Sequence, residues 1–315
     1  MATDPTDDFL RRLIDGDPSL GIIAEAPQQH RKLLAAAFYL EQQESKEADA
    51  YQARLLVQCS LPYRQPPTNE WTRRNGGVTL TIMAPSAIGL PYGAYPRLLL
   101  SWVTTEALRT HSRHIDMKYS LTRFMNELGI NRHATGPQIR RFQEQTQRLF
   151  ASTITTHRNQ LMGDTDYPDQ VFRYEGFTLA DSMVLWWDPK QTAAATVQLS
   201  EKFYELLVGH AVPLKADGLK ILKGSALALD IYSWLVHRLN YLKKPTIIPW
   251  ELLQLQFGSN YVEAKDGRYK FKKNFQQQLQ KVLLIYPEAK VTADSQGLTL
   301  APSPPHIKPR GHFTQ

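Results

Sequence analysis

Apolar residues recur at helical spacing in six stretches that fall into two matching sets. The first set is RLLLSWVTTEALR (97–109), LTRFMNELG (121–129) and FQEQTQRLF (142–150). The second is LDIYSWLVHRLNY (229–241), WELLQLQFG (250–258) and FQQQLQKVL (275–283). Both opening members carry Ser-Trp, at Ser101-Trp102 and Ser233-Trp234. Both middle members place apolar residues at their first, fourth and eighth positions before a glycine, a common helix stop. Both closing members are amphipathic. The register offsets are 132, 129 and 133, so only loop-sized slippage separates the sets, and the pattern predicts an internal repeat.

Strand-like sequence flanks each set. VTLTIM (78–83) alternates Val78, Leu80 and Ile82 with Thr79 and Thr81, and ATVQLS (195–200) precedes the second set. AKVTADSQGLTLAP (289–302) reads as a hairpin around DSQG, while ASTITTHR (151–158), FRYEGFTL and MVLWW follow the first set. Residues 28–57 read as helix, and SLPYRQPPTNEWTRRNGG as a turn-rich break. Helix, short helix, longer helix and hairpin is the order of a winged helix-turn-helix unit. The expected fold is α+β and mostly helical, with two winged helix-turn-helix domains in tandem. A flexible acidic arm (1–27) leads into a first winged-helix domain (28–190), a second (191–302) and a flexible Pro-rich tail (303–315).

Charge points to a polyanionic partner. The 315 residues hold 37 Lys+Arg against 30 Asp+Glu, a net +7. Residues 1–17 carry Asp4, Asp7, Asp8, Asp15 and Asp17 against two arginines, so the remainder is more basic than the total. Cys59 is the only cysteine, which excludes an intramolecular disulfide and a thiolate metal cluster within one chain. With no charged-then-apolar leader and no apolar run near 18 residues, a soluble cytoplasmic protein without a membrane partner is expected.

The closing helix of each set carries the candidate chemistry. The first presents Arg140, Arg141, Glu144, Gln147 and Arg148 outward; the second presents Lys270, Lys273, Asn274, Gln277, Gln280 and Lys281. Residues 268–281 contain Arg268, Lys270, Lys272, Lys273 and Lys281 and no acidic residue. Arg matches guanine O6/N7, Gln and Asn match adenine N6/N7, and Glu accepts from cytosine N4. A cationic stripe holds phosphates through counterion release. Lys290 and Gln296, at the hairpin, complete the candidate DNA-binding set, of which Arg140, Arg141, Lys273 and Asn274 are the strongest members. A Lys/Gln face is equally the ordinary composition of a solvated helix surface. Two things favour DNA: both stripes hold the same place in a repeated unit, and a hairpin follows each.

Catalytic readings find little support, and no enzyme activity, cofactor or metal is expected. His111 and His114 stand three apart near Asp116, a spacing that suggests a metal site but lacks a partner cluster. Tyr119 would serve a nicking enzyme, yet the His-x-His metal pair such an enzyme needs is nowhere in the sequence. There is no G-x-x-x-x-G-K-[ST] phosphate loop. GDTDYPD (163–169) lacks the order of a calcium loop and reads as surface, and Trp186-Trp187 as a buried strand end.

Several strings carry a family likeness: LPYGAYPRLLLSWVTTEALRT (90–110), SLTRFMNELGI (120–130), ALALDIYSWLVHRL (226–239), PTIIPWELLQLQFG (245–258) and KVLLIYPEAKV with GLTLAPSPPHI. They resemble the plasmid-encoded RepA family of replication initiators, over roughly residues 28–307. The resemblance implies a non-enzymatic initiator of theta-type plasmid replication. Such a protein binds double-stranded DNA at repeated origin sites (iterons), helps open an adjacent A·T-rich segment and recruits the host initiator and replicative helicase. It also implies a homodimer that represses its own promoter, and so copy control. The residues themselves reach two DNA-binding faces; replication comes only with the resemblance. Two further readings stay open: a two-domain winged-helix transcription regulator without an initiation role, and a structural protein whose basic helices face another protein.

Overall fold

The computed structural model describes residues 33, 35, 48–75, 77–117, 120–130, 134–159, 172–185, 195–258, 261 and 265–307. The acidic arm, most of the helix expected from residue 28, Tyr119, the 163–169 loop, Trp186-Trp187 and residues 308–315 lie outside the described residues.

The chain begins with β1 (Ala50–Ala53), α1 (Arg54–Gln58), β2 (Glu70–Asn75) and β3 (Val78–Met83). The first set of helices is α2 (Ala94–Thr110), α3 (Leu121–Glu127) and α4 (Gly136–Phe150), with β4 (His114–Met117) between the first two. Then come β5 (Thr153–Asn159), β6 (Phe172–Thr178), β7 (Ala180–Val184), β8 (Ala195–Leu199), α5 (Glu201–His210), β9 (Ala211–Leu214) and α6 (Ala216–Leu222). The second set is α7 (Ala226–Tyr241), β10 (Thr246–Pro249), α8 (Trp250–Phe257) and α9 (Lys265–Ile285), closed by β11 (Val291–Ala293) and β12 (Gly297–Leu300).

The expectation of a mostly helical chain built from tandem winged helix-turn-helix domains is overturned. Among the described residues the fold is α+β with four antiparallel sheets, ordered β1-β9, β2-β3-β5-β6, β4-β8-β7 and β10-β12-β11. Long-range pairing is the reason. Glu70–Asn75 sits in a segment whose prolines and glycines read as a break, yet it alternates exposed and half-buried residues and pairs with β3. Strand β5 pairs with β3 on one side and β6 on the other, so the strands after α4 build a four-stranded sheet with upstream partners rather than a small wing. Strand propensity depends on such partners, and local composition does not reveal them. Strand β8 pairs with β4 and β7, upstream of the 190/191 boundary expected from sequence.

The internal repeat has a physical core. In the first set Trp102 meets Phe124 edge-on at 4.7 Å, and Phe124 meets Phe142 at 6.0 Å. In the second, Trp234 meets Phe257 at 5.4 Å, and Phe257 meets Phe275 at 5.5 Å, although by the middle-helix offset of 129 Phe257 aligns with Leu128 and Phe124 with Leu253, so the ring sits one turn later on the helix. The shared Ser-Trp thus marks a tryptophan that tethers the opening helix to the two that follow. The sheets repeat as well: the strand between the first two helices, β4 or β10, pairs with the last strand of a later hairpin, β7–β8 or β11–β12. Gly297 closes the second sheet because a Cβ there would lie 2.2 Å from the Ile248 carbonyl oxygen.

One hydrophobic cluster runs through both sets, and a buried ion pair pins their opening helices together. Arg97 of α2 donates from Nε to Asp230 Oδ1 at 2.7 Å and from Nη2 to Oδ2 at 2.8 Å, with side chains 4% and 11% exposed. Its remaining donors reach the carbonyls of Gly93 (2.6 Å), Leu61 (2.6 Å) and Pro62 (3.3 Å). The guanidinium also lies 4.9 Å from the Tyr63 ring centre. Further links reach α8: Arg73 Nη1 donates to the Leu255 carbonyl at 3.0 Å, and Ser60 Oγ to that of Gln256 at 3.3 Å. Buried Cys59 lies in this segment, and burial pushes its thiol up to about 11, so it is protonated and poorly nucleophilic at neutral pH.

Helix α7 also carries a pH-sensitive group. Burial, followed by the charges of Arg54 and Arg238, pushes His237 down to about 4. An unfolded histidine titrates near ~6.5, so below that pH the unfolded chain takes up a proton that the folded chain refuses. Stability is therefore expected to fall as pH drops from about 6.5 towards 4, with no further loss from this group below that. His237→Gln should flatten that part of the profile, read as the urea midpoint against pH. A slope unchanged by the substitution would show that other groups carry it.

Candidate nucleic-acid interface

Helix α4 starts at Thr135, whose backbone N–H donates to Gln138 Oε1 at 2.9 Å, with Pro137 in the first turn. Phe142, Gln145, Thr146, Leu149 and Phe150 are buried, which turns Arg140, Arg141, Glu144 and Gln147 to solvent. Arg148 is different. It is half-buried, its Nη1 donates to the Leu90 carbonyl at 3.4 Å, and its guanidinium lies 5.4 Å from the Tyr92 ring centre. Arg141 approaches the same ring at 5.7 Å, and Gln145 Oε1 accepts from the Tyr92 N–H at 2.7 Å. Cation–π contact of this kind orients a guanidinium while leaving its edge free to donate. The loop before α2 therefore holds Arg148 against the protein and steers Arg141, while Arg140, Glu144 and Gln147 stay outward.

Helix α9 packs through Phe271, Phe275, Leu279, Val282 and Ile285. Lys270, Lys273, Gln277 and Gln280 are exposed and recur at three- and four-residue spacing along one face. Asn274 and Lys281 are half-buried in a side-chain chain on its flank. Asn274 Nδ2 donates to the Tyr261 hydroxyl at 2.8 Å, Gln278 Nε2 donates to Asn274 Oδ1 at 3.3 Å, and Lys281 Nζ donates to Gln278 Oε1 at 3.2 Å. These two residues support the helix surface more than they project from it.

The hairpin β11–β12 sits beside the start of α9. Lys272 Nζ donates to the Asp294 carbonyl at 2.8 Å and lies 5.0 Å from the Trp250 ring centre. Asp294 caps the turn, accepting from the N–H groups of Gln296 (2.7 Å) and Gly297 (3.0 Å). The N–H of Gly297, then that of Gln296, holds its carboxyl below the usual range. Gln296 is thereby held exposed at the tip, and Lys290 is exposed just before β11, its own N–H bound to Ser303 Oγ at 2.9 Å. The structure thus gathers the α9 residues and the hairpin into one basic group and places the α4 residues in a second. Sequence reasoning left Lys272 and Tyr92 out of the site. The Lys272 signal was present in its acid-free stripe, whereas nothing local marks Tyr92.

Elsewhere, His114 Nδ1 faces Gln198 Oε1 at 3.1 Å, and His111 ends α2 in a left-handed conformation. No group of three His, Cys, Asp or Glu placed to hold a metal occurs among the described residues. No helix among them is long and apolar enough to cross a membrane.

A family model described as "Plasmid encoded RepA protein" matches residues 90–251. Among solved structures, the crystal structure of RctB domains 2-3 is similar with a TM-score of 0.50 at 12% identity, covering 78% of this chain and 94% of that one. A selenomethionine-derivative structure of RctB domains 2 and 3 gives 0.49 at 11% identity, over 78% and 95%. No curated protein matches the chain. At such identities the RctB likeness speaks to the fold alone.

Proposed function

The chain belongs to the plasmid-encoded RepA protein family, and from that premise we propose that it is a cytoplasmic replication initiator that acts by binding double-stranded DNA rather than by catalysis. The observation that carries the reading is the exposed face of α9, where Lys270, Lys273, Gln277 and Gln280 stand beside a hairpin tip bearing Gln296. Ammonium groups hold phosphates and amides read adenine edges, so this face suits both tasks required of an origin-binding protein. The Arg140, Arg141, Glu144 and Gln147 face of α4 adds a second set of groups on the same chain.

Two faces on one chain raise each other's effective concentration once either has docked, which suits repeated origin sites. Several copies on adjacent repeats would strain the neighbouring duplex, where A·T-rich steps deform most readily. Opening the origin, recruiting the host initiator and helicase, and repressing the gene as a homodimer are further parts of this proposal.

Fluorescence anisotropy on duplexes from the chain's own upstream region tests DNA binding. The reading expects preference for repeat-containing over scrambled duplex, with log affinity falling steeply against log salt. Equal affinity for both duplexes, or none, would favour a protein partner for these basic helices.

A further inference from the structure

The two sets of helices differ at one place in a way that DNA binding does not explain. Counting by the middle-helix offset of 129, Glu251, Leu252 and Leu255 of α8 stand where α3 has Thr122, Arg123 and Asn126. All three α3 residues are polar and exposed. In α8, Leu252 and Leu255 share one helix face and are 55% and 58% exposed. Ile247, just before α8, is 54% exposed, and Tyr269 of α9 is 69% exposed. The patch borders basic side chains: Glu251 pairs with Arg268 at 3.6 Å, and exposed Lys270 and Lys273 follow on α9. An apolar strip with a cationic margin fits an acidic segment that carries its own apolar residues.

The chain contains such a segment. Residues 4–17 hold Asp4, Asp7, Asp8, Asp15 and Asp17 around Phe9, Leu10, Leu13 and Ile14. Fifteen residues separate Asp17 from helical Leu33, enough to span up to about 50 Å. The described chain then passes directly under α8, where Gln256 Nε2 donates to the Gln58 carbonyl at 3.4 Å. We propose that residues 4–17 dock on the α8 face of their own chain, with Phe9, Leu10, Leu13 and Ile14 against Leu252 and Leu255 and the aspartates towards Arg268, Lys270 and Lys273. A consequence, which rests on the proposed DNA-binding role of α9, is that the arm competes with phosphate for those lysines.

The contact itself is testable without DNA. The full chain is prepared with the photo-crosslinker p-benzoylphenylalanine in place of Leu252, an exposed position that tolerates an aromatic. It is irradiated at low concentration and digested, and the crosslinked peptides are identified by mass spectrometry. The expected product is an intramolecular crosslink to residues 4–17. Its yield should fall at least about threefold in a variant carrying Asp4→Asn, Asp7→Asn, Asp8→Asn, Asp15→Asn and Asp17→Asn, and also in 1 M salt, where charges are screened within about 3 Å. A crosslinked dimer, which would assign the face to a second copy, overturns the proposal. So does the absence of any crosslink to residues 4–17, or a crosslink to them indifferent to both changes.

Discussion

Arg97→Ala is expected to lower stability by about 3–5 kcal/mol, the usual cost of stranding one member of a buried ion pair. Asp230 sits in the core between α2 and α7 with its carboxylate satisfied by both Nε and Nη2 of Arg97. Removing the guanidinium leaves that charge uncompensated and also takes a side-chain donor from the Gly93 and Leu61 carbonyls, while the Pro62 carbonyl keeps the Gly93 N–H at 3.0 Å. Lysine does not substitute well, because one ammonium cannot reproduce a planar fork that spans a carboxylate and three carbonyls. Replacing both partners, as in Arg97→Met with Asp230→Leu, should cost less than either single change, since no charge is then left alone. Equilibrium urea unfolding checks this. A single Arg97→Ala cost below about 1 kcal/mol would mean that the helices are held by apolar packing alone.

The second large effect concerns DNA. Lys270→Ala with Lys273→Ala should weaken binding to every duplex and reduce the salt slope by about two, one for each phosphate contact. Arg140→Ala or Gln277→Ala should instead cost about 1–3 kcal/mol on the preferred duplex if either side chain reads a base, with little change on scrambled DNA. Asn274→Ala is expected to act indirectly, by releasing Tyr261 and Gln278. Anisotropy titrations on both duplexes separate the three patterns. Unchanged affinity in the lysine pair and in Arg140→Ala would remove α4 and α9 from the interface.

Helical phase was legible in the sequence wherever burial alone decides it. Arg140, Glu144 and Gln147 on α4, and Lys270, Lys273, Gln277 and Gln280 on α9, all face solvent as the apolar spacing predicts. Residues on the flanks of that face were not legible. Arg148 and Asn274 are half-buried by neighbours outside their own helices, the Tyr92 loop and Tyr261, while Lys281 bends back to Gln278 one turn before it. The sheets were missed for a related reason. Glu70–Asn75 alternates as a strand should, but surrounding prolines and glycines outweighed that signal until β3 supplied the partner. The pairing of Arg97 with Asp230 was not legible at all, because a bond across 133 residues leaves no local trace.

We propose that α4 and α9 place this RepA-family chain on repeated origin DNA. Hydroxyl-radical footprinting of the full chain on a supercoiled plasmid carrying its upstream region tests it most directly. Protection should recur at whole helical turns over direct repeats, with enhanced reactivity in an adjoining A·T-rich tract. A single protected inverted repeat over a promoter, without distortion beside it, would contradict the initiator reading and leave a repressor in its place.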